Sequence, residues 1–339
     1  MLPRRYIYDH QDLSAEVFDG IEYRDNQVLI RVQACAISPR EFAGIHSTNA
    51  ILGNAVLGIV IEAGTSATGW LGKRVLAPTL QPCGECDSCR RGAPGGCAQK
   101  MLLGHDGNGG LCEIVVASAR WLTPLENQLS DLPMTAAALA GDGLRAYSAY
   151  CYAGVAPKDP VVVLGAGTSS LLIVQLAGIQ GANVIHIKAG VKADAEIGGS
   201  TLDIVGEHIA SLGEKPWQVF VLDPFFSQQS GPVNDFSAFI SLLPSGSTLV
   251  IGLSSDTHLN GINREALLAM CNRGITIMGT SHGHPDLLPE LAALSVNREL
   301  NLDALVDSAT IDELSSSPLR LSENAASHIT TIGLWTETP

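Results

Sequence analysis

The chain has 339 residues, enough for two domains with cores of their own. Hydrophobic residues make up 46% and charged residues 16%, which excludes a disordered chain. The formal net charge is −14, from 34 acidic and 20 basic residues. That balance disfavours binding to nucleic acid or to an anionic membrane and leaves a small molecule as the expected partner.

The N-terminal MLPRRYIYDHQDLS lacks the apolar core of a secretory signal. The longest apolar stretches, such as residues 161–164 and 171–177, are far too short to span a bilayer. Eight cysteines without an export signal point to a reducing compartment, so a cytoplasmic protein is expected.

Up to about residue 125 the pattern is that of short strands joined by Gly-rich turns. Residues 27–36 (QVLIRVQACA) alternate as a half-buried strand does, and 56–63, 74–77 and 111–117 read as further strands. The loop GHDGNGG over 104–110 precedes the last of these. Between them stand Cys83, Cys86, Cys89 and Cys97, in QPCGECDSCRRGAPGGC. Two CxxC steps sharing a cysteine, with a fourth cysteine close by, give the four thiolates of a tetrahedral Zn²⁺ cage. Four protein ligands close the coordination sphere, so this metal is expected to be structural. Cys35, Cys112, Cys151 and Cys271 read as ordinary small apolar residues.

The pattern then changes. Residues 133–154 carry Ala-rich helical spacing. A continuous apolar strand over 161–164 leads into Gly165-Ala166-Gly167-Thr168-Ser169-Ser170 and a helix over 171–178. Strands follow at 183–187, 219–222, 248–252 and 275–278, with helical stretches at 235–243 and 264–271. Fully apolar strands alternating with helices predict βαβ units and a parallel sheet. After Gly279 come a helix over 286–296 and mixed elements, so the two ends of the chain read as parts of one domain with the sheet domain inserted.

Gly165 and Gly167 sit where a strand turns into a helix. The first glycine of such a turn permits the tight bend, and the second lets a pyrophosphate approach the backbone. Thr168 and Ser169 open the helix and join the predicted cofactor contacts, while Ser170 stands where a third glycine is usual. At the end of the next strand an NAD site calls for an acid, and the chain has Lys188, followed by Lys192. Cations there favour NADP(H) over NAD(H).

The cysteine loop, Gly72-Lys73-Arg74-Val75 before it, Gly109-Gly110-Leu111-Cys112-Glu113 after it and the VLGAG turn occur in an order that resembles the medium-chain dehydrogenase/reductase superfamily, and the zinc alcohol dehydrogenases in particular. The resemblance runs from about residue 25 to residue 279. It implies an α/β protein, a GroES-like β-domain (1–145, completed by 281–339) and a doubly wound Rossmann domain (146–280), with the active site in the cleft between them. It also implies cofactor contacts at Gly252 and Leu253, and a homodimer formed near residues 275–279.

The catalytic segments depart from the zinc pattern. The cysteine ligand position is Ser38, in ACAISPRE, and the GHE segment reads Gly53-Asn54-Ala55. The third ligand position falls on Asp142, and the hydroxyl relay position on Arg40. Serine, asparagine and one carboxylate make a poor Zn²⁺ site. Ser38-Pro39-Arg40-Glu41 resembles the Asn-Pro-x-Asp segment of zinc-independent quinone oxidoreductase-like members.

Two readings follow. One is a zinc-independent reductase that passes hydride from NAD(P)H to a carbonyl or an activated alkene, with Arg40, Ser38, Asn54, Arg145 or Tyr147 stabilising the developing oxyanion. The other is a redox-inactive protein that uses Ser38, Asn54 and Asp142 for non-redox chemistry or ligand binding. His105 and the pair His282 and His284 read as surface histidines rather than ligands. Asp223 ends a sheet strand on the side where open α/β sheets bind ligands.

Overall fold

The structure is a computed structural model that describes residues 2–9, 12–38, 41, 51–106, 109–165, 167–187, 206–207, 216–222, 237, 240–241, 243–252, 262–280, 282–297, 300–316 and 329–334. The chain divides into two compact units, one of residues 1–145 and 282–339, the other of 146–281.

The first unit is β-rich. Its strands are β1 (Arg4–Asp9), β2 (Asp12–Val17), β3 (Gln27–Ile37), β4 (Ala55–Ala63), β5 (Arg74–Ala77), β6 (Leu80–Gln81), β7 (Met101–Leu102), β8 (Ile114–Ser118) and β9 (Thr123–Pro124). Helix α1 (Asp87–Arg90) lies between β6 and β7, and α2 (Asp142–Ala153) leads out of the unit.

The second unit holds β10 (Pro160–Leu164), α3 (Thr168–Gln180), β11 (Asn183–Ile187), β12 (Gln218–Leu222), β13 (Thr248–Gly252), α4 (Arg264–Arg273) and β14 (Thr276–Gly279). The chain then returns to the first unit with α5 (Leu288–Val296), β15 (Val306–Thr310), α6 (Ile311–Ser316) and β16 (Ile329–Gly333).

β3 organises the first unit. It pairs antiparallel with β4, with β8 and with the C-terminal β16, in a sheet of order β15-β16-β3-β4-β5-β9. The register against β4 shifts at Leu29/Ile30, where β4 has the extra residue, and at Val32/Ala34, where Gln33 is the extra residue and resets the alternation of β3. Val28, Ile30 and Val32, then Cys35 and Ile37, therefore all reach the core, with Val56, Val60, Leu111 and Val115. Leu111 and Cys112 were expected to begin a strand. They instead contact β1, through Tyr6 N–H to the Leu111 carbonyl and a bridge from Arg5 to Cys112, and β8 starts at Ile114.

The second unit is a five-stranded parallel sheet of order β11-β10-β12-β13-β14. β10 and β12 are buried at every position, as continuous apolar strands covered on both faces must be. Gly181 and Gly274 end α3 and α4 in the left-handed conformation, and the Asn263 side chain caps α4 by accepting from Ala266 N–H at 2.8 Å.

The helical pattern over 133–154 resolves into a 3-10 segment (Met134–Ala140) and α2, separated at Gly141, whose backbone leaves helical geometry. The stretch 235–243 lies mostly outside the described residues. Among the described residues, no helix is long and apolar enough to cross a membrane.

Candidate active site and cysteine centre

The end of β3 carries Ser38, and the start of β4 follows Asn54. These strands are neighbours, and Asn54 N–H donates to the Ala36 carbonyl at 3.0 Å. Asp142 opens α2. Ser38 Oγ donates to Asp142 Oδ2 at 2.7 Å across 104 residues of sequence. The other carboxylate oxygen of Asp142 faces Arg145 Nε at 3.4 Å, one helical turn on, and Arg145 is only 4% exposed. Asn54 lies against the same helix start, since a Cβ built on Gly141 would stand 2.9 Å from Asn54 Oδ1. That oxygen is buried and has no hydrogen-bond partner among the described residues.

Glu41 closes the cluster from beneath. Its Oε2 accepts from Ser38 N–H at 2.8 Å and its Oε1 from Gly53 N–H at 2.7 Å, which ties the end of β3 to the approach of β4. Glu41 is 3% exposed. Burial pushes its carboxyl up to about 8, against the opposing pull of these amides, and the nearby Asp142 charge adds to the rise. The structure thus brings Ser38, Asn54 and Asp142 together. Arg40 lies outside the described residues. Sequence reasoning gave Glu41 no role of its own; its spacing three residues after Ser38, in a turn that also has Glu41 N–H on the Ser38 carbonyl, was the available signal.

This arrangement can handle a proton. Ser38 gives its hydrogen to Asp142 and keeps oxygen lone pairs for a ligand hydroxyl. A proton taken up by Ser38 Oγ is matched by one passed on to Asp142, and the reverse path delivers a proton outward.

Cys83, Cys86, Cys89 and Cys97 hang on the loop between β6 and β7. Their sulfurs all lie within 4.8 Å of one another, with Cys86 to Cys89 and Cys97 to Cys83 both at 3.5 Å. Sulfurs bound tetrahedrally at about 2.3 Å from Zn²⁺ sit about 3.8 Å apart, so the four thiols fit such an ion. Backbone N–H groups of Glu85 and Cys86 hold the Cys83 thiol below its ordinary value. Among the described residues, this is the one group of three or more such side chains able to hold a metal. His105 and His282 stand edge to face, ring centroids 6.3 Å apart, and His284 Nδ1 lies 3.7 Å from Asp286 Oδ2.

In the second unit, Gly165 follows β10 with φ +134°, a conformation that favours glycine. A Cβ there would meet Ser170 Oγ at 2.5 Å and the Leu222 carbonyl at 2.6 Å. Ser170, in place of a third glycine, is thus accommodated by packing its hydroxyl over the bare Cα of Gly165. Gly167 flanks α3, and Thr168 and Ser169 form its first turn. Gly252 ends β13 beside Leu222. Glycines at 165 and 167, before a 13-residue helix, fit the phosphates of a dinucleotide. Lys188, Lys192, Asp223 and Leu253 lie outside the described residues.

The alcohol dehydrogenase GroES-like domain family matches residues 24–127. An alcohol dehydrogenase of Geobacillus stearothermophilus is 28% identical over 173 residues, which are 48% of this chain and 51% of that protein, so the chain spans about half the length of this relative. A D-arabitol-phosphate dehydrogenase of Enterococcus avium is 24% identical over 303 residues, 84% of this chain and 83% of the relative. The solved structure of an alcohol dehydrogenase of E. coli CFT073, complexed with NADH, superposes with a TM-score of 0.79 at 17% identity, over 98% of this chain and 99% of the other. Residues 24–127 are thus similar to the GroES-like domain of alcohol dehydrogenases, and the whole chain shares the fold of the solved dehydrogenase.

The fold is accordingly a GroES-like domain with a Rossmann domain. The positions that the sequence resemblance assigns to zinc ligands, Ser38, Asn54 and Asp142, carry a hydroxyl, an amide and a carboxylate, of which the first and last are hydrogen-bonded to each other. Neither a thiolate nor an imidazole stands among them, and this donor set does not fit a catalytic Zn²⁺.

Proposed function

We propose that the protein is a nicotinamide-dependent oxidoreductase without a catalytic zinc, exchanging hydride with a carbonyl or activated alkene of a small organic molecule. The observation that carries this reading is the hydrogen bond from Ser38 to Asp142, which joins two former ligand positions into a proton-handling pair. Names of relatives support the redox class, since these are dehydrogenases.

NADP(H) or NAD(H), when bound, would supply the hydride; Gly165, Gly167, Thr168 and Ser169 would hold its phosphates, and Gly252 and Leu253 would be further contacts. Lys188 and Lys192 favour the 2′-phosphate of NADP(H). Ser38 meets the substrate oxygen. When a carbonyl is reduced, Ser38 gives its proton to the new alkoxide and is reprotonated through Asp142, whose carboxylate takes that proton from solvent. Arg145 keeps the Asp142 carboxylate oriented, Asn54 adds a polar group beside it, and Arg40, outside the described residues, is assigned the developing oxyanion. The four cysteines hold one structural Zn²⁺. A homodimer joined along β14, the edge strand of the parallel sheet, completes the proposal.

The test is titration of the zinc-loaded protein with NADPH and NADH, followed by nicotinamide fluorescence. Micromolar binding with NADPH ahead supports the reading. Binding of neither overturns it and moves the pocket of Ser38, Asn54 and Asp142 to non-redox ligands.

A further inference from the structure

We infer that His186 is a positioning residue for the dinucleotide-phosphate turn, acting through the carbonyl of Gly165. The inference rests on the nicotinamide-cofactor reading above and adds a residue from a different strand.

His186 is the fourth residue of β11, beside Val163 of β10 in parallel register. Its Nε2 lies 2.7 Å from the Gly165 oxygen. A carbonyl only accepts, so Nε2 carries the hydrogen. The neighbouring Ile187 carbonyl accepts from Gly165 N–H at 3.1 Å. Both main-chain polar groups of the first glycine are therefore held by two successive residues of one strand end.

Gly165 needs such holding. It has no side chain to pack, and its φ of +134° is one choice among the many open to a glycine. The hydrogen bond to Ile187 extends the sheet ladder only as far as Gly165 N–H. The peptide beyond is oriented by what its carbonyl meets. Fixing the carbonyl of Gly165 holds the main chain where it enters the turn. A turn of this type offers main-chain amides to a pyrophosphate. His186 thereby acts on the turn through Gly165, without touching the ligand.

The proposal predicts that His186→Leu weakens NADPH and NADH alike, by roughly ten-fold each, since both share the pyrophosphate. His186→Gln, which keeps a side-chain N–H at similar reach, is expected to recover most of the affinity, whereas His186→Asn is too short and is not. Fluorescence titrations of the four proteins, each paired with a thermal melt, decide the matter. Wild-type affinity in a folded Leu variant overturns the inference, as does a lowered melting temperature with unchanged affinity. Loss of NADPH binding alone would make His186 a 2′-phosphate contact and also overturn it. If His186→Leu does not fold, equal affinity in the Gln and Asn variants refutes the positioning role. Failure of the wild-type chain to bind either cofactor defeats the cofactor reading itself, an outcome distinct from the others.

Discussion

Ser38 and Asp142 are 104 residues apart in sequence and 2.7 Å apart in space, joined hydroxyl to carboxylate. Each has a second contact, Ser38 through its amide hydrogen bond to Glu41 and Asp142 through the ion pair of its other oxygen with Arg145. If this pair carries the proton, Ser38→Ala and Asp142→Asn each lower kcat by roughly a hundred- to ten-thousand-fold while NADPH affinity stays unchanged. Steady-state rates on an active carbonyl or enone, beside a cofactor titration, check this. Retained kcat in both variants would remove the pair from the mechanism.

Glu41 gives a pH signature. Its carboxyl has an ordinary value of 4.5 and titrates near 8 in the folded chain, raised chiefly by burial. Between those values the unfolded chain has lost a proton that the folded chain keeps. Stability contributed by this group is therefore full below about pH 4.5 and is lost as pH rises to about 8, at up to about 1.4 kcal/mol per pH unit. Glu41→Gln should flatten that part of the curve. Urea denaturation at pH 5, 6.5 and 8 compares the two proteins, and parallel curves would refute the assignment.

The cysteine cage should bind about one Zn²⁺ per chain. Cys89→Ala should lose the ion and lower thermal stability, with the first unit melting before the second. Metal analysis together with calorimetry tests both halves. Intact zinc content in a soluble variant contradicts the four-thiolate assignment, and a reproducible two ions per chain contradicts the loss of the catalytic metal.

Gly283 shows how the returning chain docks within the first unit. It has φ +87°, and a Cβ there would lie 2.7 Å from Leu144 C and 2.9 Å from Arg145 N. Gly283→Ala is expected to cost about 1–3 kcal/mol and several degrees of melting temperature. An unchanged melting temperature would mean that the α2 start yields easily.

Much of the fold was legible because apolar periodicity reports burial directly. The strands of the parallel sheet stand within a residue of their expected bounds, since 161–164, 219–222 and 249–251 are unbroken apolar runs. β1, β2, β15 and β16 were not legible. Val306–Thr310 and Ile329–Gly333 are short and mixed, and they owe their strand geometry to pairing with each other and, for β16, with β3. The meeting of Ser38, Asn54 and Asp142 was readable only by resemblance, because nothing local brings residues 38 and 142 together. Glu41 and His186 were missed for a related reason. Their partners are main-chain groups, and a main-chain group leaves no mark in a sequence.

That last property bears on how such a pocket changes over time. Glu41 grips the amides of residues 38 and 53, and the first N–H is present whichever residue other than proline stands at 38. Substitution at positions 38 and 54 can therefore alter the reactive groups while the frame beneath them stays tied. Chemistry and scaffold are mutationally separable here, so a lineage could exchange a thiolate and an imidazole for a hydroxyl and an amide without first losing its fold.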